Sequence, residues 1–284
     1  DEEHIFPKDI IAKAGELGFC ALYTPEEAGG LNLSRLDSSI IFEQLAMGCT
    51  ATTAMMTIHN MATWMIATWG KDVLKDAWCP SLVTGEKLAS YCLTEPGSGS
   101  DAASLSTSAK KEGDHYVVNG SKVFISGAGS TDVLVVMVRT GEAGPKGISA
   151  LAIPADLDGI IYGKAEEKLG WNAQPTRQIT FDNVKVPVEN LLGNEGEGFS
   201  MAMKGLDGGR INIATCSIGT AQQALNVAMT YMQEREQFGK PIAAFQGLQF
   251  KLADMATELV AARQLVRLAA YKLDKNDPEK TAYC

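Results

Sequence analysis

The sequence predicts an α+β multidomain protein with three regions: an N-terminal helical domain over residues 1–90, a central antiparallel β domain over 91–197, and the first part of a C-terminal four-helix bundle over 198–284. Two observations support this order. Apolar residues recur at helical spacing towards both ends of the chain, whereas the middle alternates with a period near two. No helix-length segment separates the central strands, which argues against β-α-β units.

The N-terminal helices are indicated by a capping signal and by apolar spacing. Ser34 is the expected N-cap of "SRLDSSIIFEQLAMGC", with Asp37 three residues further on. The segment "TTAMMTIHNMATWMIATWG" is apolar on nearly every side and ends at Gly70, which predicts a buried helix. His59 lies within this segment, and we expect it to be a hydrogen-bonded residue of the core.

The central strands are indicated by alternation and by turn residues. The run "HYVVNGSKVFISGAG" carries Asn119-Gly120 between two β-rich stretches, which predicts a two-residue hairpin at that point. Further strands are predicted in "TDVLVVMVRT", "GISALAIPA" and "RQITFDNVKVPVENLL", with turn clusters such as "GEAGPKG" between them. Together these strands predict an antiparallel sheet or barrel.

Two long amphipathic segments are predicted to form helices after Gly198. The first contains "RINIATCSIGTAQQALNVAMTYMQEREQFG" and is expected to begin at "LDGGRINIA", and the second is "QGLQFKLADMATELVAARQLVRLAAYKLDK". The short segment "GKPIAAF" joins them, so we expect an antiparallel helical hairpin. Such a hairpin leaves an apolar face uncovered.

Composition excludes several classes of partner. The chain has 284 residues, of which 45% are hydrophobic and 21% charged, and its net charge is -9. An acidic chain is repelled by nucleic acid and by anionic membrane surfaces, so we expect neither as a partner. No apolar run is long enough to cross a bilayer, so we expect no membrane insertion. The six cysteines lack C-x-x-C spacing and are expected to be reduced, buried thiols.

The segment "YCLTEPGSGSDAAS" concentrates hydroxyls, glycines and carboxylates, but most catalytic motifs are absent. No serine has the G-x-S-x-G elbow of a hydrolase, and the only histidines are His4, His59 and His115. These histidines and the cysteines have no metal-ligand spacing. No Walker A or Rossmann glycine motif occurs. A loop of backbone N–H groups and hydroxyls can still bind a pyrophosphate, although a purely structural turn fits this segment equally well.

The neighbouring motifs favour a large anionic cofactor. "KVFISGAG" offers an aromatic residue and Ser126 at the end of a strand, which suits one face of a flat ring. "LDGGRINIA" supplies Arg210 beside an expected helix N-terminus, a favourable place for an anion. "REQFGKPIAAFQ" places Arg235, Phe238 and Gln246 at a helix–helix corner. None of these motifs contains an evident acid–base pair.

These motifs resemble, in the same order, those of the acyl-CoA dehydrogenases: "YCLTEPGSGSDAAS", "KVFISGAG", "FDNVKVPVENLLGNEGEGF", "GLDGGRINIA" and "REQFGKPIAAFQ", over essentially all 284 residues. The resemblance implies FAD as the cofactor, a homotetramer, and α,β-dehydrogenation of an acyl-CoA with electron-transfer flavoprotein as the electron acceptor. "GWNAQPTR", with "GSKVFISGAG" and "GLDGGRINIA", is most similar to members acting on isobutyryl-CoA, a short branched-chain substrate. The family resemblance also implies a cytoplasmic location in a bacterium or the mitochondrial matrix in a eukaryote. An acyl-CoA oxidase-like relative and a non-catalytic acyl-CoA or flavin-binding protein remain alternatives.

The resemblance also implies roles for individual residues. The Leu93 backbone and the Thr94 hydroxyl are expected to bind the pyrimidine edge of the flavin, and the Ser126 hydroxyl is expected near N5. The residues expected to bind FAD, the last four of them on a neighbouring subunit, are Tyr91, Cys92, Leu93, Thr94, Gly99, Ser100, Phe124, Ile125, Ser126, Arg235, Phe238, Phe245 and Gln246. Those expected to bind the acyl-CoA are Ser100, Asp207, Gly208, Gly209 and Arg210.

The glutamate base of the family has no match in the chain. In most members it lies near the C-terminus, and we expect it beyond Cys284, just as we expect the first helix of the N-terminal domain to precede residue 1. In some members the base instead comes just before the arginine of "GLDGGR", where this chain has Gly209. No catalytic residue is therefore assigned within the sequence.

Overall fold

A computed structural model describes residues 3–284, and within them the chain forms seven α-helices and ten β-strands. The described chain divides into two units. The first contains the residues up to Leu33 together with Met55–Gly209, and the second contains Ser34–Ala54 together with Arg210–Cys284. The domain boundaries expected near residues 90 and 198 stay a prediction. The helical, β and helical order predicted from the sequence is confirmed.

The first unit contains the helices α1 (Lys8–Glu16) and α4 (Asp72–Val83) and most of α3 (Thr50–Trp69). His59 of α3 is completely buried, as expected. Its Nδ1 accepts the N–H of Ala89 at 3.1 Å, so Nε2 carries the proton and donates to the carbonyl of Leu82 at 2.9 Å. Burial lowers the pKa of His59 to about 4, because the imidazolium would lose its hydration.

A mostly antiparallel sheet forms the rest of the first unit. The pairing order is β6-β7-β3-β2-β4-β5-β8, and β1 also pairs with β4. The sheet is mixed because β4 pairs in parallel with both β1 and β2. The strands are β1 (Ala89–Cys92), β2 (Ser108–Glu112), β3 (His115–Ser126), β4 (Val133–Arg139), β5 (Ile148–Pro154), β6 (Ile160–Ala165), β7 (Thr176–Pro187) and β8 (Leu191–Leu192). β4 and β5 are buried along almost their whole length, which explains their nearly continuous apolar sequences.

The expected hairpin at Asn119-Gly120 is wrong. Both residues lie inside β3, where the pairing with β7 shifts register between Val118 and Gly120. Gly120 has φ +144°, and a Cβ there would lie 2.6 Å from the Cα of Thr107. The glycine therefore serves a bulge and a close backbone approach. The turn between β2 and β3 contains Gly113 instead, with φ +63°.

The second unit contains α2 (Arg35–Gly48), the larger part of α5 (Gly198–Glu234), α6 (Gln246–Asp274) and α7 (Lys280–Tyr283). The predicted cap of α2 is confirmed: Ser34 Oγ accepts the N–H of Asp37 at 3.0 Å. Asp274 adds a second cap, because its carboxylate accepts the N–H of Arg35 at 2.7 Å and of Leu36 at 3.0 Å. A carboxylate at this end of the helix also complements the helix dipole.

A buried carboxylate holds α2 to the C-terminal helices. Glu43 of α2 accepts from Arg263 Nε at 2.8 Å and lies 3.4 Å from Arg267 Nη2, both on α6. The guanidinium of Arg263 also donates to Gln222 of α5 at 2.7 Å. Beside these polar contacts, α5 and α6 border an apolar groove of about 590 Å³, which agrees with the uncovered face expected for a helical hairpin.

Two further observations concern membrane-spanning helices and the cysteine thiols. Within residues 3–284, no helix combines the length and apolar character needed to cross a bilayer. Four of the six cysteines are buried as expected, whereas Cys284 is half-buried and Cys49 is exposed, which corrects that expectation. Cys49 directly precedes α3, and hydrogen bonds from Thr52 and from nearby backbone N–H groups outweigh partial burial and lower the pKa of its thiol.

Candidate functional site

The candidate site begins where β1 ends. Glu95 and Ser98 exchange two backbone hydrogen bonds, at 2.9 and 3.1 Å, which closes a tight turn after the strand. Gly99 and Ser100 follow on the exposed side of this turn. A Cβ added to Gly99 would meet nothing within 4 Å, so the surface beside this loop is open.

A buried ion pair joins this loop to β3. Lys122 is completely buried, and its Nζ donates to Glu95 Oε1 at 2.8 Å and to the carbonyl of Leu93 at 3.0 Å. The Glu95 carboxylate also accepts backbone N–H groups from Ser106 and Thr107 at 2.7 and 2.9 Å. Burial alone would raise the pKa of Glu95, but the Lys122 ammonium and these hydrogen bonds outweigh burial and lower it to about 2.

Sequence reasoning missed both members of this pair. A lysine within a strand is usually read as a residue on the solvent face, and Glu95 stands among turn residues. One signal in the sequence could have revealed that Lys122 is buried. It lies an even number of residues after Tyr116 and Val118 on β3, so its side chain is on the same, inward-facing side of the strand.

Phe124 is displayed on the surface beside this pair. Its backbone has φ +59°, a left-handed conformation, and its side chain is 65% exposed. The pairing of β3 with β7 shifts between Lys122 and Ile125, which accommodates this residue. A strained backbone that exposes a large aromatic ring costs free energy, about 1–3 kcal/mol for the backbone alone. Such strain is characteristic of functional sites.

The neighbouring Ile125 and Cys92 point the other way. Both side chains belong to the core of the sheet, and burial raises the pKa of the Cys92 thiol to about 12. Only their backbone atoms can therefore contact a ligand. Tyr91 is half-buried, and its hydroxyl donates to the carbonyl of Ala202 at 3.5 Å.

The hydroxyls of Thr94 and Ser126 lie on the loop after β1 and on β3, the two segments that the Lys122–Glu95 ion pair joins. Thr94 is tied to β3 through its carbonyl, which accepts the N–H of Val123 at 2.9 Å. Among residues 3–284, nothing hydrogen-bonds the Thr94 hydroxyl, so it can bind a ligand. Ser126 ends β3, and its Oγ accepts from Gln174 Nε2 at 2.6 Å. The exposed ring of Phe124 and these two hydroxyls fit a flat heteroaromatic group with polar edges.

The segment expected to bind the acyl-CoA lies inside a helix. The expectation that "LDGGRINIA" opens the helix is wrong, because α5 begins at Gly198. Gly205 and Gly209 have space limited by Met61, whose Sδ would be 3.4 Å from an added Cβ at either position. Asp207 and Gly208 are buried, whereas Arg210 is exposed. Gly205 and Gly209 therefore lie within packing distance of Met61 of α3, and Arg210 lies inside α5 and not at its N-terminus.

The remaining predicted residues gather at the tip of the helical hairpin. β9 (Glu236–Gln237) and β10 (Lys240–Pro241) pair across a turn in which Phe238 has φ +54° and Gly239 has φ +75°. Phe238 is 91% exposed and stacks edge-on against Phe245, with ring centroids 6.1 Å apart. Arg235, between α5 and β9, and Gln246, the first residue of α6, are also exposed.

Comparison with known proteins places this chain and its fold in one class, the flavoprotein oxidoreductases that act on acyl-CoA. Three family models match: the N-terminal, middle and C-terminal domains of acyl-CoA dehydrogenase, over residues 1–86, 90–184 and 196–284. The chain is 55% and 53% identical over 284 residues to isobutyryl-CoA dehydrogenases from Dictyostelium discoideum and Bos taurus. Each match covers all of this chain and 68% of the relative.

A solved structure agrees. The butyryl-CoA dehydrogenase from Megasphaera elsdenii superposes with a TM-score of 0.93 at 37% identity, over 99% of this chain and 75% of that one. The chain belongs to the acyl-CoA dehydrogenase family, whose members are FAD-dependent oxidoreductases. The predicted family and fold class are thereby confirmed.

Proposed function

We propose that this protein catalyses the FAD-dependent α,β-dehydrogenation of isobutyryl-CoA and passes the electrons to electron-transfer flavoprotein. The observation that supports this substrate is the identity of 55% and 53% to two isobutyryl-CoA dehydrogenases along the whole chain. Bound FAD would supply the hydride acceptor for the β-carbon of the substrate. The residues of the chain would bind and orient both molecules and exclude water from them.

The flavin-binding roles follow the geometry after β1 and at the end of β3. We assign the Leu93 backbone and the free Thr94 hydroxyl to the pyrimidine edge of the ring. Phe124 would cover one face, which would offset the free energy that its exposed, strained position costs. The Ser126 hydroxyl would lie near N5. Gly99 and Ser100, on the open side of the turn, would contact the pyrophosphate region and the acyl-CoA.

The hairpin tip would serve a neighbouring subunit. Phe238 combines a left-handed backbone with an almost fully exposed ring, so the tip is built to contact something outside its own unit. We propose that Arg235, Phe238, Phe245 and Gln246 reach the FAD of a neighbouring subunit in a homotetramer. A location in the mitochondrial matrix, or in the cytoplasm of a bacterium, belongs to the same proposal.

The acyl-CoA would lie along Asp207–Arg210. Since this segment is helical interior, Arg210 would bind through its charge and not through free N–H groups of a helix end. Gly209 carries no side chain and cannot remove the α-proton. The glutamate base expected in the family stays a prediction.

Anaerobic mixing of the FAD-loaded full-length protein with isobutyryl-CoA tests this function. We expect the flavin absorbance to bleach, with little oxygen uptake when air is admitted and rapid turnover with electron-transfer flavoprotein. Peroxide formation would support the oxidase-like alternative, and no bleaching would support a binding protein. One methylene changes discrimination by about 10- to 200-fold. Isovaleryl-CoA, which has one methylene more, and n-butyryl-CoA, an isomer with one methyl group moved to the chain end, should therefore react measurably but more slowly. Faster reaction with either would contradict the assigned substrate.

A further inference from the structure

Gln174 contacts the Ser126 hydroxyl from a loop to which the assigned function gives no role. It lies in "GWNAQPTR", between β6 and β7, and only 6% of it is exposed. Its Nε2 is 2.6 Å from Ser126 Oγ. Its Oε1 is buried and, among residues 3–284, has no hydrogen-bond partner. A buried amide with one end on Ser126 and the other end unpaired calls for a functional explanation.

The loop holds Gln174 firmly in this position. Lys168 Nζ donates to the carbonyls of Gln174 and Trp171, at 2.5 and 2.9 Å, and to Thr176 Oγ1 at 2.9 Å. The carbonyl of Pro175 also accepts the N–H of Gly127 at 2.7 Å, which joins the loop to the residue after Ser126. The backbone of Gln174 is therefore fixed by its surroundings, with its side chain directed at Ser126.

The backbone of Ser126 is fixed as well. Ser90 Oγ donates to the Ser126 carbonyl at 2.6 Å and lies 2.8 Å from Thr131 Oγ1. The hydrogen of the Ser126 hydroxyl can still rotate about the Cβ–Oγ bond. A serine hydroxyl has a single hydrogen, so when its oxygen accepts from Gln174 Nε2 that hydrogen remains free to be donated elsewhere.

The amide of Gln174 can also be reversed. Rotation by 180° would place Oε1 towards Ser126 and leave Nε2 unpaired instead, so the number of unpaired buried atoms would not change. In the reversed state Ser126 would donate to Oε1, and its oxygen would be free to accept from elsewhere. With one amide orientation the Ser126 hydroxyl can donate a hydrogen bond to a further group, and with the other it can accept one.

We propose that Gln174 is a positioning residue that sets the direction of the Ser126 hydroxyl next to the flavin, as a donor to the oxidised ring and as an acceptor from the reduced ring. This inference rests on the proposed function, which places Ser126 near N5. A hydroxyl beside N5 needs both polarities, because N5 carries no hydrogen in the oxidised ring and one hydrogen in the reduced ring. Gln174 supplies both without moving the backbone.

Two substitutions separate these polarities. Gln174→Glu introduces a group that, when ionised, only accepts, so the Ser126 hydroxyl is held as a donor to residue 174 and is lost to the oxidised ring. Gln174→Met keeps the length of the side chain and removes both the hydrogen-bond donor and the hydrogen-bond acceptor of the amide. The FAD-loaded variants are compared without acyl-CoA, by flavin midpoint potential, visible spectrum and FAD dissociation constant. Gln178→Met is the matched control, because Gln178 is exposed on β7.

We expect Gln174→Glu to raise the midpoint potential, because the oxidised ring loses a hydrogen bond while the Ser126 oxygen can still accept from the reduced ring. Binding of oxidised FAD should weaken by about two- to tenfold, the range for one lost hydrogen bond. Gln174→Met should shift the spectrum and the potential in the same direction by less. If Gln174→Glu should fail to retain FAD, Gln174→Met still tests the inference, because it adds no charge.

Ser126→Ala distinguishes the inference from the function on which it rests. A shifted potential in Ser126→Ala, together with wild-type values in both Gln174 variants, would overturn the role of Gln174 and leave the flavin position intact. Wild-type potential and spectrum in Ser126→Ala would overturn the placement of Ser126 near N5, and the inference with it.

Discussion

The side chains at the candidate site depend on a buried charge pair. Lys122 bridges Glu95 and the Leu93 carbonyl, so one ammonium fixes the loop that carries Thr94. Lys122→Met would leave the Glu95 carboxylate buried without its partner, at a cost of about 3–5 kcal/mol. We expect a lower unfolding temperature and loss of FAD together, measured by calorimetry and flavin absorbance. Lys111→Met, at an exposed position of β2, is the control. Full FAD retention in Lys122→Met would show that the loop is held by other contacts.

Thr94 offers a more limited substitution. Thr94→Val keeps the shape of the side chain and removes a hydroxyl that has no partner among residues 3–284. If that hydroxyl binds the flavin, its loss leaves a ring atom unpaired at about 1–3 kcal/mol. FAD should then bind more weakly, with little change in unfolding temperature of the FAD-free protein. Thr68→Val, at an exposed position of α3 where the hydroxyl likewise has no hydrogen-bond partner among residues 3–284, is the matched control. Equal FAD affinity in both variants would refute the role of Thr94.

At the level of elements, the sequence predicts those features that depend on local signals. Ser34 with Asp37 marks the start of α2 correctly because a cap acts within one turn. Asn119-Gly120 misleads because the same dipeptide suits a hairpin and a bulge, and the choice depends on Thr107, which lies on another segment. The glycines of "GLDGG", early in α5, mislead in the same way. They look like a helix start, yet they lie inside the helix, and Gly205 and Gly209 are within packing distance of Met61.

The candidate site follows the same rule. Thr94, Phe124 and Ser126 could be predicted from motif resemblance, but Lys122 and Gln174 could not. Their importance arises from burial and from partners distant in sequence, namely Glu95 and Ser126, at 27 and 48 residues' separation. No local pattern reveals such a partner.

The hairpin tip gives a prediction for a whole element. Phe238 and Gly239 form a turn with positive φ at both positions, the geometry of a tight β-hairpin, and this turn exposes an aromatic ring beside Arg235. If the tip binds FAD of a neighbouring subunit, Arg235→Glu replaces attraction to a phosphate by repulsion. We expect lower flavin content and smaller particles on size-exclusion chromatography. Lys111→Glu carries the same change of charge on β2. A fully flavinated Arg235→Glu oligomer would make Arg235 an ordinary surface charge.

At the scale of the whole molecule, stability is expected to depend on groups that titrate in separate pH ranges. The pKa of Glu95 is depressed to about 2, so its contribution to stability is present above its usual pKa and is lost only as the pH falls from about 4.5 towards 2. The pKa of His59 is also depressed, to about 4 from 6.5, but for a base the folded state then favours the neutral form. Protonation of the unfolded chain therefore lowers stability between pH 6.5 and 4.

His59 should accordingly govern the first loss of stability on acidification. With these two pKa values, the free energy of unfolding should fall by about 2 kcal/mol between pH 7.5 and pH 5. His59→Gln can keep both hydrogen bonds, since an amide oxygen can accept from Ala89 and an amide nitrogen can donate to Leu82, but it cannot titrate. We expect this variant to lose less stability than the wild type over that range, whatever its stability at pH 7.5. Urea unfolding at both pH values measures the difference. Parallel losses in the two proteins would mean that other groups control the acid response and that His59 is not buried in its neutral form.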